Sequence, residues 1–147
     1  MYRTLKIKLD KSNELVQTAR IWNAACRDVI DYGFAAHDYN KTRLNKATYK
    51  DLREKYPTLP SALIQTARDQ ASDMLKMLKF KKKPFKHILG AVRFDVRTMK
   101  VFLESGYCKL TTAFGRFRYD FQLPKYYQKY ATWKVINASQ LKIAKKA

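Results

Sequence analysis

Residues 59–86 have the sequence LPSALIQTARDQASDMLKMLKFKKKPFK, which begins with a helical pattern and ends in a cluster of lysines. Helical periodicity precedes this stretch, and the alternation of strands follows it. Apolar side chains recur at the spacing of one helical face, namely Leu63, Ala67, Ala71, Met74, Leu75 and Leu78. Thr58 is predicted to cap this helix, with Pro60 in its first turn, where a missing N–H is harmless. The stretch therefore predicts a packed helix followed by an exposed basic segment.

The basic segment, residues 79–86, interleaves lysines with two phenylalanines and contains one proline. Lysines neutralise phosphates and aromatic rings stack on unpaired bases, so this alternation suits a nucleic-acid path. A solvated linker between two parts of the chain is the plainer alternative. The segment predicts base stacking by Phe85 and phosphate contacts by Lys81, Lys82, Lys83 and Lys86.

The charge of the chain points to the same class of partner. The formal net charge is +19 over 147 residues, and residues 80–147 carry 16 Lys and Arg against 3 Asp and Glu. Residues 1–79 carry 15 against 9. A half-chain with so few acids needs counter-charges from elsewhere, and an extended polyanion supplies them. Nucleic acid is the predicted partner, and a merely soluble basic protein is the alternative.

Upstream of the central stretch, residues 2–9 alternate apolar and basic side chains and predict a strand. Ser12 is the predicted cap of a long helix that ends near Gly33 and places Trp22 in the core. Thr48 is predicted to cap a short helix before the central one. Three helices therefore form a predicted bundle over residues 12–79.

Downstream, the period changes to two, which is typical of strands. Residues 92–96 and 101–103 predict a hairpin, residues 107–112 and 114–121 predict two more strands, and residues 132–137 and 140–143 predict the last two. Basic side chains that include Arg93, Arg97, Arg116 and Arg118 point away from the apolar positions and are predicted phosphate contacts.

The predicted fold is α+β, because a single first strand cannot be stable alone and must join the later strands. The predicted organisation is a first barrel strand at residues 1–11, an inserted helical unit at 12–79, a basic linker at 80–90 and the remaining strands of a small antiparallel barrel at 91–147. An incomplete barrel at the end of the chain would leave a strand edge exposed.

Catalytic and metal-binding patterns are not recognisable in this sequence. Two cysteines and two histidines are isolated from one another, and the four glycines form no phosphate-binding loop. We therefore predict no cofactor, no catalytic residue and no metal ligand. The amino terminus shows no signal peptide and no apolar run reaches a spanning length, so the sequence predicts a cytoplasmic protein without membrane contact.

The order of a strand, a helical insertion and barrel strands resembles the start of the TnpB (OrfB-type) proteins of insertion sequences and their type V CRISPR effector relatives. The resemblance rests on YPTLPSALIQTARDQASDMLK, on KKPFK followed by VRFDVRTMKVFL, and on KLTTAFGRFRYDFQLP. It implies a wedge-type barrel interrupted by a recognition unit that grips guide RNA and an RNA–DNA hybrid. Ser61, Gln65 and Asp95 would read target-adjacent DNA, and Gln65 could bond an adenine edge.

The RuvC-type nuclease domain and zinc element of that family are not found in this sequence. The expected function is therefore a non-catalytic nucleic-acid-binding module, with a carboxy-terminal nuclease half as a further partner. Tyr107 is a second predicted stacking residue. The alternative function is a transposon-associated, sequence-specific binder of double-stranded DNA, and a small enzyme or inactive subunit with an anionic substrate is a third.

Overall fold

The computed structural model describes residues 1–136 and 138–143, and there three α-helices precede two small antiparallel sheets. The helices are α1 (Asn13–Ala36), α2 (Lys41–Lys55) and α3 (Ser61–Leu78). The strands are β1 (Val92–Asp95), β2 (Met99–Phe102), β3 (Tyr107–Thr112), β4 (Gly115–Asp120) and β5 (Ala138–Leu141), with a 3₁₀ helix at Lys125–Tyr130. The predicted α+β class is confirmed. None of the described helices is long and apolar enough to cross a membrane.

The first helix begins where its sequence predicts. The Ser12 hydroxyl accepts a hydrogen bond from the Leu15 amide at 3.4 Å, which satisfies one of the free donors of the first turn. The helix passes Gly33, its predicted end, and stops when His37 takes up the left-handed conformation with φ 51°. Gly33 instead allows close packing, because a Cβ there would lie 2.5 Å from Leu75 Cδ1.

The other two helices use different caps from those predicted. Asn40 caps α2, and Thr48 lies inside that helix, where its hydroxyl donates to the Leu44 carbonyl at 2.6 Å. The N-cap of α3 is Pro60, and no side chain caps this helix, so Thr58 is not its cap. The Thr48 prediction was wrong because a threonine whose hydroxyl bonds the carbonyl four residues earlier fits inside a helix as readily as at a cap.

One hydrophobic core joins the helices to both sheets. Trp22 is fully buried at its centre, and its indole N–H donates to the Thr66 hydroxyl of α3 at 3.1 Å. The prediction that Trp22 is a core residue is confirmed. Phe94 of β1 is also buried in this cluster. The helices and the strands therefore share one packed interior.

No strand forms over residues 1–11, although their predicted alternation of burial is present. Leu5, Ile7 and Leu9 are half-buried, while the residues between them are exposed. Among the described residues, the Lys6 amide donates a hydrogen bond to the Tyr127 hydroxyl at 3.5 Å, which links this segment to the rest of the chain. Side chains can alternate between buried and exposed positions without backbone hydrogen bonds to a second strand. The sequence pattern therefore predicted correctly which side chains are half-buried, but it wrongly implied that this segment pairs with another strand.

The predicted hairpin of β1 and β2 does not form either. β1 pairs with β5, and β2 pairs with β3 in the second sheet. Between β1 and β2, the Thr98 amide donates to the Asp95 carbonyl at 3.1 Å, but neither Val96 nor Arg97 has a positive φ. Two-residue hairpin loops require positive φ values to match the strand twist, so this turn sends the two strands into different sheets.

The second sheet has the order β2-β3-β4, and the first sheet is the pair β1-β5. Neither sheet closes into a barrel over the described residues. Of the last two predicted strands, the final one corresponds to β5, whereas residues 132–136 contain no strand and Asn137 lies outside the described residues. The tyrosine-rich residues that precede them, Lys125–Tyr130, form the 3₁₀ helix.

A polar contact ties the last strand of the second sheet to the first helix. The Tyr119 hydroxyl donates to Glu14 Oε1 at 2.9 Å, and burial raises the pKa of Tyr119 to about 12. A backbone hydrogen bond at its own position, together with the bond from Tyr119, lowers the pKa of Glu14. The phenol therefore stays protonated and the carboxylate charged over the neutral range, which keeps the bond intact.

Candidate nucleic-acid interface

The predicted DNA-reading residues meet at the start of α3. Ser61 is the first residue of this helix and is exposed, and Gln65 follows four residues later on the same face. Gln65 Oε1 accepts a hydrogen bond from the Arg97 guanidinium, which comes from the turn after β1. Gln65 is half-buried, and its Nε2 donors make no hydrogen bond within the described residues.

Asp95 holds Arg97 in place. The guanidinium donates from Nε at 3.1 Å and from Nη2 at 2.6 Å to Asp95 Oδ2, and the Arg97 amide donates to Oδ1 at 2.9 Å. Burial raises the pKa of Asp95, but the hydrogen bonds from Arg97 outweigh it and lower that pKa overall. The bond to Asp95 likewise raises the pKa of Arg97. In this conformation Arg97 positions Gln65, whereas the sequence predicted a phosphate contact.

Arg93 is also engaged within the protein. Its Nη2 donates to Gln70 Oε1 at 2.7 Å and to Asp73 Oδ2 at 2.9 Å, both on α3. These bonds fasten the outward side of β1 to the helix whose N-terminal end carries Gln65. Arg93 therefore fastens β1 to α3, and its role as a phosphate contact remains a prediction.

The basic segment presents some of its predicted cations to solvent. Lys81 and Lys82 are exposed, and neither has an ion-pair partner within the described residues. Lys83 is exposed and pairs with Asp31 of α1 at 2.6 Å. A phosphate can compete for such an exposed pair, because surface ion pairs are worth at most about 1 kcal/mol. These three lysines remain candidate phosphate contacts.

Phe85 is the exposed aromatic of this segment. It is 74% exposed, and the Arg27 guanidinium lies 5.9 Å from its ring centroid. Lys83 and Phe85 line a cleft of about 220 Å³ against Arg27, Ile30 and Asp31 of α1. An exposed ring next to two cations has the composition of a stacking site for a base.

Lys86 is placed differently from its prediction. It is 9% exposed, its Nζ donates to the Ala91 carbonyl at 2.9 Å, and it lies 5.2 Å from the Trp22 ring centroid. Burial lowers the pKa of Lys86. Its ammonium group is satisfied by a carbonyl and an aromatic face, so it joins the basic segment to the core and is no phosphate contact in this conformation.

A further basic surface lies on the second sheet. Cys108, Leu110 and Thr112 of β3 are buried, and the side chains that alternate with them and with their cross-strand partners point outward. We call this side the outer face, and it comprises Lys100, Phe102, Tyr107, Lys109, Thr111, Arg116, Arg118 and Asp120. Of the predicted site residues, it brings together Tyr107, Arg116 and Arg118.

Tyr107 has aromatic and cationic neighbours of its own. Phe102 on β2 stacks with it at a centroid distance of 4.6 Å, and the Arg118 guanidinium on β4 lies 3.8 Å from its ring centroid. Arg118 also donates to Asp120 Oδ1 at 2.9 Å. The face of the Tyr107 ring is therefore in contact with Arg118, while Phe85 has the more exposed ring for stacking on a base.

The sequence analysis missed Lys100 and Lys109 on the outer face. Both are exposed, and neither has an ion-pair partner within the described residues. Their alternation with buried neighbours in MKVF and YCKLTT was a usable signal of an outward position. This alternation does not show that Lys100 and Lys109 lie opposite each other, because their position depends on the register between β2 and β3.

The described residues contain no group of three His, Cys, Asp or Glu side chains that could hold a metal ion. Comparisons of the chain with protein families, curated proteins and solved structures find no match.

Proposed function

We propose that this chain is a non-catalytic nucleic-acid-binding module resembling the amino-terminal recognition and wedge region of TnpB-type RNA-guided nucleases. It would contact guide RNA or an RNA–DNA hybrid and help to read target-adjacent duplex DNA. The observation that carries the proposal is the meeting of Gln65 and Asp95 through Arg97. The resemblance grouped these two residues although 30 positions separate them, and the hydrogen bonds that both accept from Arg97 support that grouping.

The chemistry of this cluster fits duplex DNA. A glutamine side chain can bond a base edge in the major groove, and one good bidentate contact discriminates between bases by about 1–3 kcal/mol. Arg97 donates to one lone pair of the Gln65 carbonyl oxygen, so this oxygen keeps a second lone pair for a base edge beside the Nε2 donors. The exposed Ser61 hydroxyl on the same face adds a short polar group for a phosphate or a base.

The wedge-type barrel is part of the same proposal. Both sheets are antiparallel, and both contribute to the single core. Half-buried Leu5, Ile7 and Leu9 have the alternation of a barrel strand that lacks its ladder. In a complex, residues 1–11 would pair with a free sheet edge and close more of the barrel.

Replacement of Gln65 by alanine tests the proposed reading role. We expect wild-type protein to select preferred sequences from a pool of randomised DNA duplexes, and Gln65→Ala to lose about 5- to 100-fold of discrimination at one or two positions. Affinity for non-preferred duplexes should change little, since phosphate contacts supply it. Binding of individual duplexes, measured by fluorescence anisotropy at fixed salt, gives both quantities.

Gln70→Ala is the matched control for this test. Gln70 lies on the same helix and also accepts a hydrogen bond from an arginine, Arg93, at 2.7 Å. It should retain the wild-type sequence preference. An unchanged preference in Gln65→Ala, or equal losses in both variants, would contradict the reading role.

A further inference from the structure

The outer face carries three like charges in a single cross-strand row. The strand register places Lys100 directly opposite Lys109, and Lys109 directly opposite Arg118. Neighbouring strands lie about 4.8 Å apart, so the row spans about 10 Å. Like charges directly opposite on a sheet are destabilising. The folded chain therefore bears an electrostatic cost that a bound anion would remove.

Packing does not require these three cations. The adjacent cross-strand row points to the other face of the sheet and places Met99 opposite Leu110, both of which are buried. Neutral polar side chains at the outer positions would solvate the sheet equally well. The face instead has one acid, Asp120, which pairs with Arg118 at its edge.

Aromatic contacts hold two of the cations close to the sheet. The Arg118 guanidinium lies 3.8 Å from the Tyr107 ring centroid, and the Lys100 ammonium lies 5.3 Å from that of Phe102. Tyr107 and Phe102 stack on each other. The row is thus pre-ordered without a ligand, and less side-chain entropy is lost when an anion binds.

We propose that the outer face binds the phosphate backbone of a single-stranded nucleic acid along the row of Lys100, Lys109 and Arg118. Arg116, two residues from Arg118 on β4, extends the path by about 7 Å along the strand. A flexible single strand can follow such a flat surface and set its bases against the edges of Phe102 and Tyr107. A rigid convex duplex would reach fewer of these cations at once. This inference rests on the proposed nucleic-acid function and assigns it a second surface, separate from Gln65.

The test compares two variants that remove the same charge. The row variant is Lys100→Gln, Lys109→Gln and Arg118→Gln, and the control variant is Lys46→Gln, Lys50→Gln and Lys125→Gln. The three control lysines are exposed on α2 and the 3₁₀ helix. Binding to a uridine-only RNA oligonucleotide and to a DNA duplex is measured by anisotropy over about 50–200 mM salt. Circular dichroism and thermal unfolding check that both variants fold.

We expect the row variant to bind the RNA about ten-fold or more weakly, with the slope of log affinity against log salt smaller by about 2, since three phosphate contacts are lost. The control variant should lose less than about three-fold, and the row variant should keep more of its duplex binding than of its RNA binding. Equal losses in both variants, unchanged RNA binding in the row variant, or an equal loss for RNA and duplex would each overturn the inference. In all three cases the DNA sequence preference that depends on Gln65 should persist, so the proposed function would stand. Failure of the wild-type protein to bind any nucleic acid would overturn the proposed function as well.

Discussion

Trp22→Ala should lower the free energy of unfolding by about 3–5 kcal/mol, the usual cost of truncating a buried aromatic side chain. Trp22 is fully buried between α1 and α3 and donates its indole N–H to Thr66. Its removal also leaves the buried Lys86 ammonium without its aromatic neighbour at 5.2 Å. A domain of this size is stable by only about 5–15 kcal/mol, so this variant should lose a large fraction of its stability. Urea denaturation followed by circular dichroism gives the change.

Trp133→Ala is the control for this experiment. Trp133 is 42% exposed and contacts Tyr130 edge-on at a centroid distance of 4.8 Å. Its truncation should cost no more than about 1 kcal/mol. A loss of less than about 1 kcal/mol in Trp22→Ala would show that α1 and α3 do not pack around this side chain.

Phe94→Ala should destabilise the chain by about 3–5 kcal/mol as well, and it should do so for the helices and the strands together. Phe94 is 1% exposed on β1, the strand that packs against α3, and it belongs to the cluster that contains Trp22. A shared core predicts one cooperative transition. Far-ultraviolet circular dichroism, which reports mainly the helices, and tyrosine absorbance, which includes the strands, should shift to the same lower midpoint.

Val96→Ala provides the comparison for the strand. Val96 is 60% exposed in the turn that follows β1. Its truncation should change stability by less than about 0.5 kcal/mol. If Phe94→Ala shifted the absorbance transition and left the helical signal at the wild-type midpoint, the two parts would unfold independently, in conflict with a single core.

The sequence predicted well those features that depend on neighbours along the chain. The 3.6-residue period indicated α3 with Leu63, Ala67 and Leu75 on its buried face, and all three are buried in the structure. Ser12 was recognised as a cap because the donor that it satisfies is three residues away. Such local signals need no knowledge of the fold.

Features that depend on strand pairing were predicted less well. The alternation around Phe94 indicated a strand correctly, but its partner β5 begins more than 40 residues later. Neither Val96 nor Arg97 has a positive φ, which disfavours a hairpin between β1 and β2. These backbone angles could not be predicted from the sequence. The row of Lys100, Lys109 and Arg118 likewise appears only when the register of three strands is known.

Side chains with two possible environments were the hardest to assign. Lys86 belongs to the same basic segment as Lys81 to Lys83, yet its ammonium group is largely buried and donates to the Ala91 carbonyl. Tyr107 was predicted to stack on a base, and its intramolecular neighbours Phe102 and Arg118 were not foreseen. An amphipathic side chain can bury its stem and find a local partner, and composition alone does not reveal which it does.

Binding of the wild-type chain to a structured RNA, a matched RNA–DNA hybrid and a DNA duplex, measured across a salt series, tests the proposed nucleic-acid function most directly. We expect tighter binding to the RNA or the hybrid than to the duplex at equal salt, with affinity that falls steeply as salt rises. Stronger binding to duplex DNA with a sequence bias would favour a transposon-associated DNA-binding protein instead. Weak binding to all three at low salt would contradict the proposed function.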